Sequence, residues 1–176
     1  MNAKSGGCRE NCSFCAQSQY HRGNTPVYPL VSPDALLRRA EELVAAKADR
    51  MGIVTSGGAP SSKDFEAICE AAAYITKRVD IRLCASLGIL SREQGIALKQ
   101  AGFSRYHHNL ETAASYYPQV CTTHDYDLRV ETIRNAKSAG LQVCSGGIFG
   151  LGETWTHRLE LASTLRELEV DSMPVN

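Results

Sequence analysis

The sequence has no excess of either charge: 19 Lys and Arg stand against 19 Asp and Glu, a formal net of zero. The basic residues are scattered rather than clustered, so the electrostatic footprint of a nucleic-acid-binding surface is missing. No apolar run approaches the ~20 residues needed to span a bilayer. The residues after Met1 lack the basic and apolar stretches of a secretory leader. Linkers, low-complexity tracts and heptads are absent, and 176 residues suffice for one domain with its own core. An even cysteine count is missing too. Seven cysteines, three of them crowded together, argue against a disulfide framework. They favour metal-binding or catalytic thiols in a reducing, cytoplasmic setting.

Those crowded residues are Cys8, Cys12 and Cys15, spaced C-x-x-x-C-x-x-C. The spacing places three thiolates on one short loop, and no fourth cysteine lies near. Most cubic iron–sulfur clusters have four cysteine ligands and serve electron transfer. Three ligands leave one iron open to an exogenous molecule. Phe14, just before the third cysteine, completes the loop pattern of radical S-adenosylmethionine (SAM) enzymes. A structural zinc site is the alternative, with His21 completing a Cys3His set.

Beyond the loop, β-branched segments alternate with amphipathic ones. Ser32 and Pro33 read as N-cap and first residue of a helix whose apolar face carries Leu36, Leu37, Ala40, Leu43 and Val44. Met51 to Thr55 predicts a strand, Asp64 to Arg78 a helix and Ile81 to Ala85 a strand. Ser91 and Gln94 form a capping box on a helix ended by Gly102. Phe103 to Leu110 predicts a strand, Tyr126 to Ala139 a helix, Leu141 to Ser145 a strand and Trp155 to Glu169 a helix. Asp171 to Asn176 begins a sixth strand.

This βα alternation predicts an α/β fold with a parallel sheet and, extended, a TIM-type (β/α)8 barrel. Such a barrel typically needs ~250 residues. The expectation is therefore a partial barrel of about six strands: residues 1–176 as a single core domain truncated at both ends. Barrel active sites gather at the C-terminal ends of the strands. The unusual residues recur there: the cysteine loop, Ser56-Gly57-Gly58, Cys84, His107 to Glu111, Cys144 with the glycine run, and Asn176.

Four stretches then carry a resemblance: Asn2-Ala-Lys-Ser-Gly-Gly-Cys8; Tyr106-His-His-Asn-Leu-Glu-Thr112; Thr122-Thr123 with Tyr126 and Arg129; and Val143-Cys-Ser-Gly-Gly-Ile-Phe-Gly-Leu-Gly-Glu153. In content and order they resemble the biotin synthase family of radical SAM enzymes. That resemblance implies sulfur insertion into dethiobiotin. A 5′-deoxyadenosyl radical from SAM abstracts the hydrogens, and an auxiliary iron–sulfur cluster, [2Fe-2S] or a variant, donates the sulfur. It implies that Cys8, Cys12 and Cys15 hold a [4Fe-4S] cluster with Phe14 at its edge. Ser56, Gly57 and Gly58 would meet the methionine amino group, Arg129 its carboxylate, Asn109 and Glu111 the ribose, and Gly147 and Ile148 the adenine. Asn176, with His107 and Asn109, would contact substrate. Cys84 and Cys144 match auxiliary-cluster ligands. A reducing flavodoxin or ferredoxin, and a homodimer at full length, are the implied partners.

The sequence departs from the family in three places. Gly52 stands where a strand-two cysteine ligand is expected, Cys121 is an additional cysteine, and His107 replaces an amide side chain. The expectation drawn is that Cys121 joins Cys84 and Cys144 as an auxiliary ligand. Two other readings stay open. One is a related radical SAM enzyme of hydrogenase-maturation or methylornithine-synthase type without sulfur insertion, and the other is a non-catalytic metal-binding module. Singly, Cys84 or Cys144 reads as a buried strand cysteine, Cys69 as a core residue and Arg129 as a surface ion pair. Glu153 reads as a charge at the start of the helix after it.

Overall fold

A computed structural model describes all of residues 1–176. Five parallel strands lie in sequential order: β1 (Asn2–Lys4), β2 (Arg50–Thr55), β3 (Arg82–Ser86), β4 (Phe103–His107) and β5 (Gln142–Cys144). Between them run α1 (Pro33–Ala45), α2 (Ser62–Thr76), α3 (Arg92–Gln100) and α4 (Tyr126–Ser138), and α5 (Trp155–Glu167) follows β5. The partial barrel expected from the βα alternation is present. Its sixth strand is reduced to two single parallel bridges, Cys144 with Ser172 and Gly147 with Val175. Pro174 lies between those bridges and has no N–H to give a ladder, which keeps the pairing discontinuous.

Local signals set the helices. Ser32 accepts a hydrogen bond from Ala35 N and Pro33 follows it, as read from sequence. Ser61 caps α2 and begins it two residues before the expected Asp64. Ser91 and Gln94 form a full capping box on α3. The last helix stops at Glu167, short of the expected Glu169, because Glu169 takes a left-handed conformation (φ 49°).

Alternation along the strands divides the sheet into two faces. Met51, Ile53, Leu83, Ala85, Phe103 and Val143 pack outward against Leu36, Ala40, Ile68, Ile75, Leu98 and Ile133 of the helices, in one core cluster of 25 buried residues. The other face carries Arg50 and Gly52 on β2, Cys84 on β3, Arg105 and His107 on β4, and Cys144 on β5. Gly52 pairs with Cys84, Cys84 with Arg105, and His107 with Cys144. A register shift at the start of β4 sets Ser104 as an extra residue, as a bulge does.

The loops above the sheet are fastened by backbone. Ile89 N donates to Gly58 O at 2.7 Å. Gly88 lies at φ 85°, and a Cβ there would stand 2.2 Å from Gly58 O. Gly140 is also left-handed (φ 77°) but has nothing within 4 Å of its Cβ position. Gly140→Ala should therefore cost the left-handed strain alone, about 1–2 kcal/mol. Gly88→Ala adds overpacking and should cost about 2–5 kcal/mol in all. Equal urea midpoints for the two variants would show that the close approach at Gly88 carries no energy.

Candidate active site

The cysteine loop rises from the C-terminal end of β1 and is folded back on itself. Cys8 N donates to Gln17 O, Gln19 N to Cys8 O and Cys15 N to Cys12 O. Cys8 and Cys12 are buried and Cys15 is half-buried. All three line one cavity of about 500 Å3, together with Phe14, Ser56, Gly57, Gly58, His107, His108, Asn109, Glu111 and Arg129. Residues far apart in sequence thus converge at the strand ends.

The donor chemistry fits an iron–sulfur cube. Three thiols face one cavity, yet they do not crowd onto a single point as ligands of one ion would. The group of donor atoms that does so, all within 4.8 Å, is Cys12, Cys121 and His124. Burial and the neighbouring Cys121 push the Cys12 thiol up to about 12, so a cation must displace its proton for it to ligate. The Cys3His zinc alternative is not assembled. His21 is exposed, and its Nε2 contacts the carbonyl of Cys12 at 2.9 Å.

Arg129 sits on the first turn of α4 but is 9% exposed, which removes the surface-ion-pair reading. Its Nε donates to Tyr117 Oη at 2.6 Å and its Nη1 to Asn109 O at 2.9 Å, and Glu111 lies 3.8 Å away. Nη2 makes none of these contacts. Burial pushes the Glu111 carboxyl up, with Arg129 and Asn109 opposing it. Asn109 connects two elements: its Nδ2 donates to Glu111 at 3.3 Å and its Oδ1 accepts from Gly146 N at 3.1 Å. Glu111 itself is left-handed, φ 71°, and its carbonyl accepts from Ile148 N at 2.8 Å. Gly147 and Ile148 therefore lie against Glu111 at the rim without lining the cavity. Asn176 is exposed, and its backbone pairs with Gly147 and Phe149.

Cys84 and Cys144 lie on the inner face of the sheet. Burial and the Cys144 thiol push Cys84 up to about 11, with Arg50 and Arg105 opposing. The two guanidiniums were not singled out from sequence. Strand alternation alone places Arg50 on the face of Gly52, and that was the available signal. Arg50 Nη1 donates to Ser104 Oγ at 2.7 Å, whereas the buried Nε of Arg105 has no partner. A Cβ at Gly52 would meet nothing within 4 Å. Two thiols, an orphaned buried donor and open space suit an anionic group such as a cluster. Cys121 is not with them. Its Sγ is 3.6 Å from Cys12 Sγ, on the loop after the 3-10 turn Tyr117–Gln119.

Glu153 does not cap α5. Thr154 does, in a capping box with His157. Burial of the Glu153 carboxyl is outweighed by the N–H groups of Gly150 and Leu151 and by Arg158 at 2.6 Å, which hold it down at about 2. Its folded pKa lies below the ordinary unfolded value of about 4.3, so its stabilising share is full above pH 4.3. That share is lost as pH falls towards 2. Wild type should exceed Glu153→Gln in stability at neutral pH, with the gap closing through that acid window in urea titrations. A gap independent of pH would leave Glu153 without an electrostatic role.

No helix is long and apolar enough to cross a membrane. Among curated proteins, the chain is 58% identical over its whole length to biotin synthase of Nitratidesulfovibrio vulgaris (strain DSM 19637 / Miyazaki F), covering 51% of that protein. It is 51% identical to biotin synthase of Pelotomaculum thermopropionicum (strain DSM 13744 / JCM 10971 / SI), covering 55%. The chain thus spans about half the length of the curated relatives it matches. Among solved structures, methylornithine synthase superposes with a TM-score of 0.87 at 18% identity, over 100% of this chain and 51% of that one. The FeFe-hydrogenase maturase of Carboxydothermus hydrogenoformans superposes with 0.83 at 20% identity, over 99% and 43%. At those identities the superpositions show the fold alone. The model of the radical SAM superfamily matches residues 3–165, nearly the whole partial barrel with its three-cysteine loop, and the chain belongs to that superfamily.

Proposed function

We propose that this chain forms the catalytic core of a biotin synthase. The observation that carries the reading is the convergence of the three-cysteine loop, the Ser56–Gly58 loop, Asn109, Glu111 and Arg129 on one cavity above the Cys84–Cys144 pair. The identity to biotin synthases across all of the chain supports it.

Cys8, Cys12 and Cys15 would hold a [4Fe-4S] cluster, with Phe14 covering its edge. Cys84 and Cys144 would hold an auxiliary iron–sulfur cluster, with Arg50 and Arg105 offsetting its negative charge. When bound, the first cluster supplies the electron that cleaves SAM and the second supplies sulfur. The chain's own residues bind and orient. The backbone of Ser56 to Gly58 receives the methionine amino group, and Arg129 presents Nη2 to the carboxylate in a charge-assisted hydrogen bond. Glu111, held by Asn109 and Arg129, accepts the ribose hydroxyls. Gly147 and Ile148, bridged to Glu111, flank the adenine. His107, which lines the cavity and pairs with Cys144 on the inner face, would contact dethiobiotin with Asn109 and Asn176. A flavodoxin- or ferredoxin-type protein would deliver electrons, in the cytoplasm, to a homodimer of the full-length protein.

The test is anaerobic reconstitution of the full-length protein with iron and sulfide, then SAM, a low-potential reductant and dethiobiotin. Biotin and 5′-deoxyadenosine are expected together. Formation of 5′-deoxyadenosine with no sulfur-bearing product would overturn sulfur insertion.

A further inference from the structure

We propose a mononuclear metal site on Cys12, Cys121 and His124 that takes a thiophilic divalent cation, such as Zn2+, in the cluster-free protein. The geometry is that of ligands sharing one ion. Two thiolates on a tetrahedral ion, each about 2.3 Å from it, stand about 3.8 Å apart, and a thiolate and an imidazole about 3.5 Å. Here Cys12 Sγ and Cys121 Sγ are 3.6 Å apart, and Cys121 Sγ is 3.3 Å from His124 Nδ1. All three donor atoms lie within 4.8 Å of one another, and both cysteines are buried.

The site is held from both sides. Asn11 Nδ2 donates to Thr122 Oγ1 at 2.7 Å, and Thr122 N donates back to Asn11 Oδ1 at 2.9 Å. Ser13 N donates to Val120 O at 2.9 Å. These bonds clasp the loop of Cys121 onto the loop of Cys12 across 109 residues of sequence. His124 is oriented as metal-bound imidazoles are, by a partner on its other nitrogen. Tyr117 Oη lies 2.7 Å from Nε2, and Arg129 Nε donates to that same oxygen at 2.6 Å. Nδ1 faces Glu10 Oε2 at 2.8 Å. A cation on Nδ1 leaves the ring proton on Nε2, which donates it to Tyr117 Oη, and displaces the two thiol protons to solvent.

Cys12 cannot serve this ion and the cube at once, so the two exclude each other. That exclusion rests on the cluster assignment proposed above, whereas the ion site does not.

The experiment uses full-length protein in a Cys84→Ser/Cys144→Ser background, stripped of iron by chelation under anaerobic reduction and titrated with Co2+ as the probe. One equivalent should bind, with visible d–d absorption and thiolate-to-cobalt charge transfer. Cys121→Ser and His124→Gln should each weaken binding by at least ~100-fold, the upper end of the loss seen for mere outer-shell partners. Cys8→Ser/Cys15→Ser should leave it unchanged. Far-ultraviolet circular dichroism checks each fold, and His124→Gln carries the test if Cys121→Ser does not fold. Undiminished binding in His124→Gln, or its loss in Cys8→Ser/Cys15→Ser, overturns the site. Cobalt-loaded protein should take up no cluster iron and sulfide until the cobalt is removed, and cluster assembly at full cobalt occupancy overturns the exclusion. If cobalt-free protein takes up no cluster either, the cluster reading fails while the cobalt result stands.

Discussion

Cys8→Ala or Cys15→Ala in the full-length protein should abolish reductive cleavage of SAM, whereas Cys69→Ala should leave it unchanged. The cavity holds the three loop cysteines among its lining residues. Loss of an outer-shell partner already costs a metal site about 10–100-fold, so removal of a ligand should exceed that. Cys69, half-buried on α2, packs against the helical core and is remote in role from the cavity. The measurements are iron and sulfide per chain after reconstitution, and 5′-deoxyadenosine formed with dithionite. A Cys15→Ala protein that cleaves SAM at the wild-type rate would sink the assignment of the loop. An equal loss in Cys69→Ala would show that any core cysteine replacement has the same effect, and the contrast would then say nothing about ligation.

Arg129→Met should destabilise the protein by about 3–5 kcal/mol, the cost of removing one partner from a buried ion pair. Arg129 and Glu111 side chains are only 10% and 12% exposed at a separation of 3.8 Å. Without the guanidinium, Glu111 stays buried with no cation, and Tyr117 Oη and Asn109 O each lose a donor. The pH dependence has a definite sign. Burial already raises the Glu111 carboxyl, and loss of Arg129 raises it further. The folded state then binds more protons than the unfolded one between the unfolded value of about 4.3 and the folded value. Stability therefore falls as pH rises through that interval. The penalty of Arg129→Met should be smallest in mild acid and largest above the folded pKa, and Glu111→Gln in the same chain should recover much of it. SAM affinity should fall about tenfold or more, since a charge-assisted hydrogen bond is worth ~1.5–3 kcal/mol. Urea titrations at several pH values and equilibrium binding on cluster-replete protein read the two effects. Wild-type stability at neutral pH would mean that Glu111 finds another partner.

Much of this protein is written in local sequence. The caps at Ser32 and Ser91 and the helix stops at Gly102 and Gly140 act within a few residues. The alternation of β2 to β5 does as well, so the order of strands and helices follows from the chain itself. So does the cysteine loop, because its three thiols reach one cavity from within eight consecutive residues. Elements ran short where a tertiary contact took over. The strand expected to reach Leu110 ends at His107, since Asn109 and Glu111 turn to bond the segment at Gly146 and Ile148. The strand expected from Asp171 is only bridged, around Pro174.

Packing alone decided the rest. Arg129 has the sequence context of a surface residue on a first helical turn. It is buried because the loop carrying Tyr117 closes over it. Arg50 and Arg105 face Cys84 and Cys144 only through strand register. Cys121 reads as a companion of the barrel cysteines when judged by chemistry, yet the loops that follow β1 and β4 meet at the C-terminal end of the sheet and set it against Cys12. Periodicity and capping are short-range and survive in any window of the sequence. Which thiol meets which depends on pairing across more than a hundred residues, and only the assembled sheet supplies that.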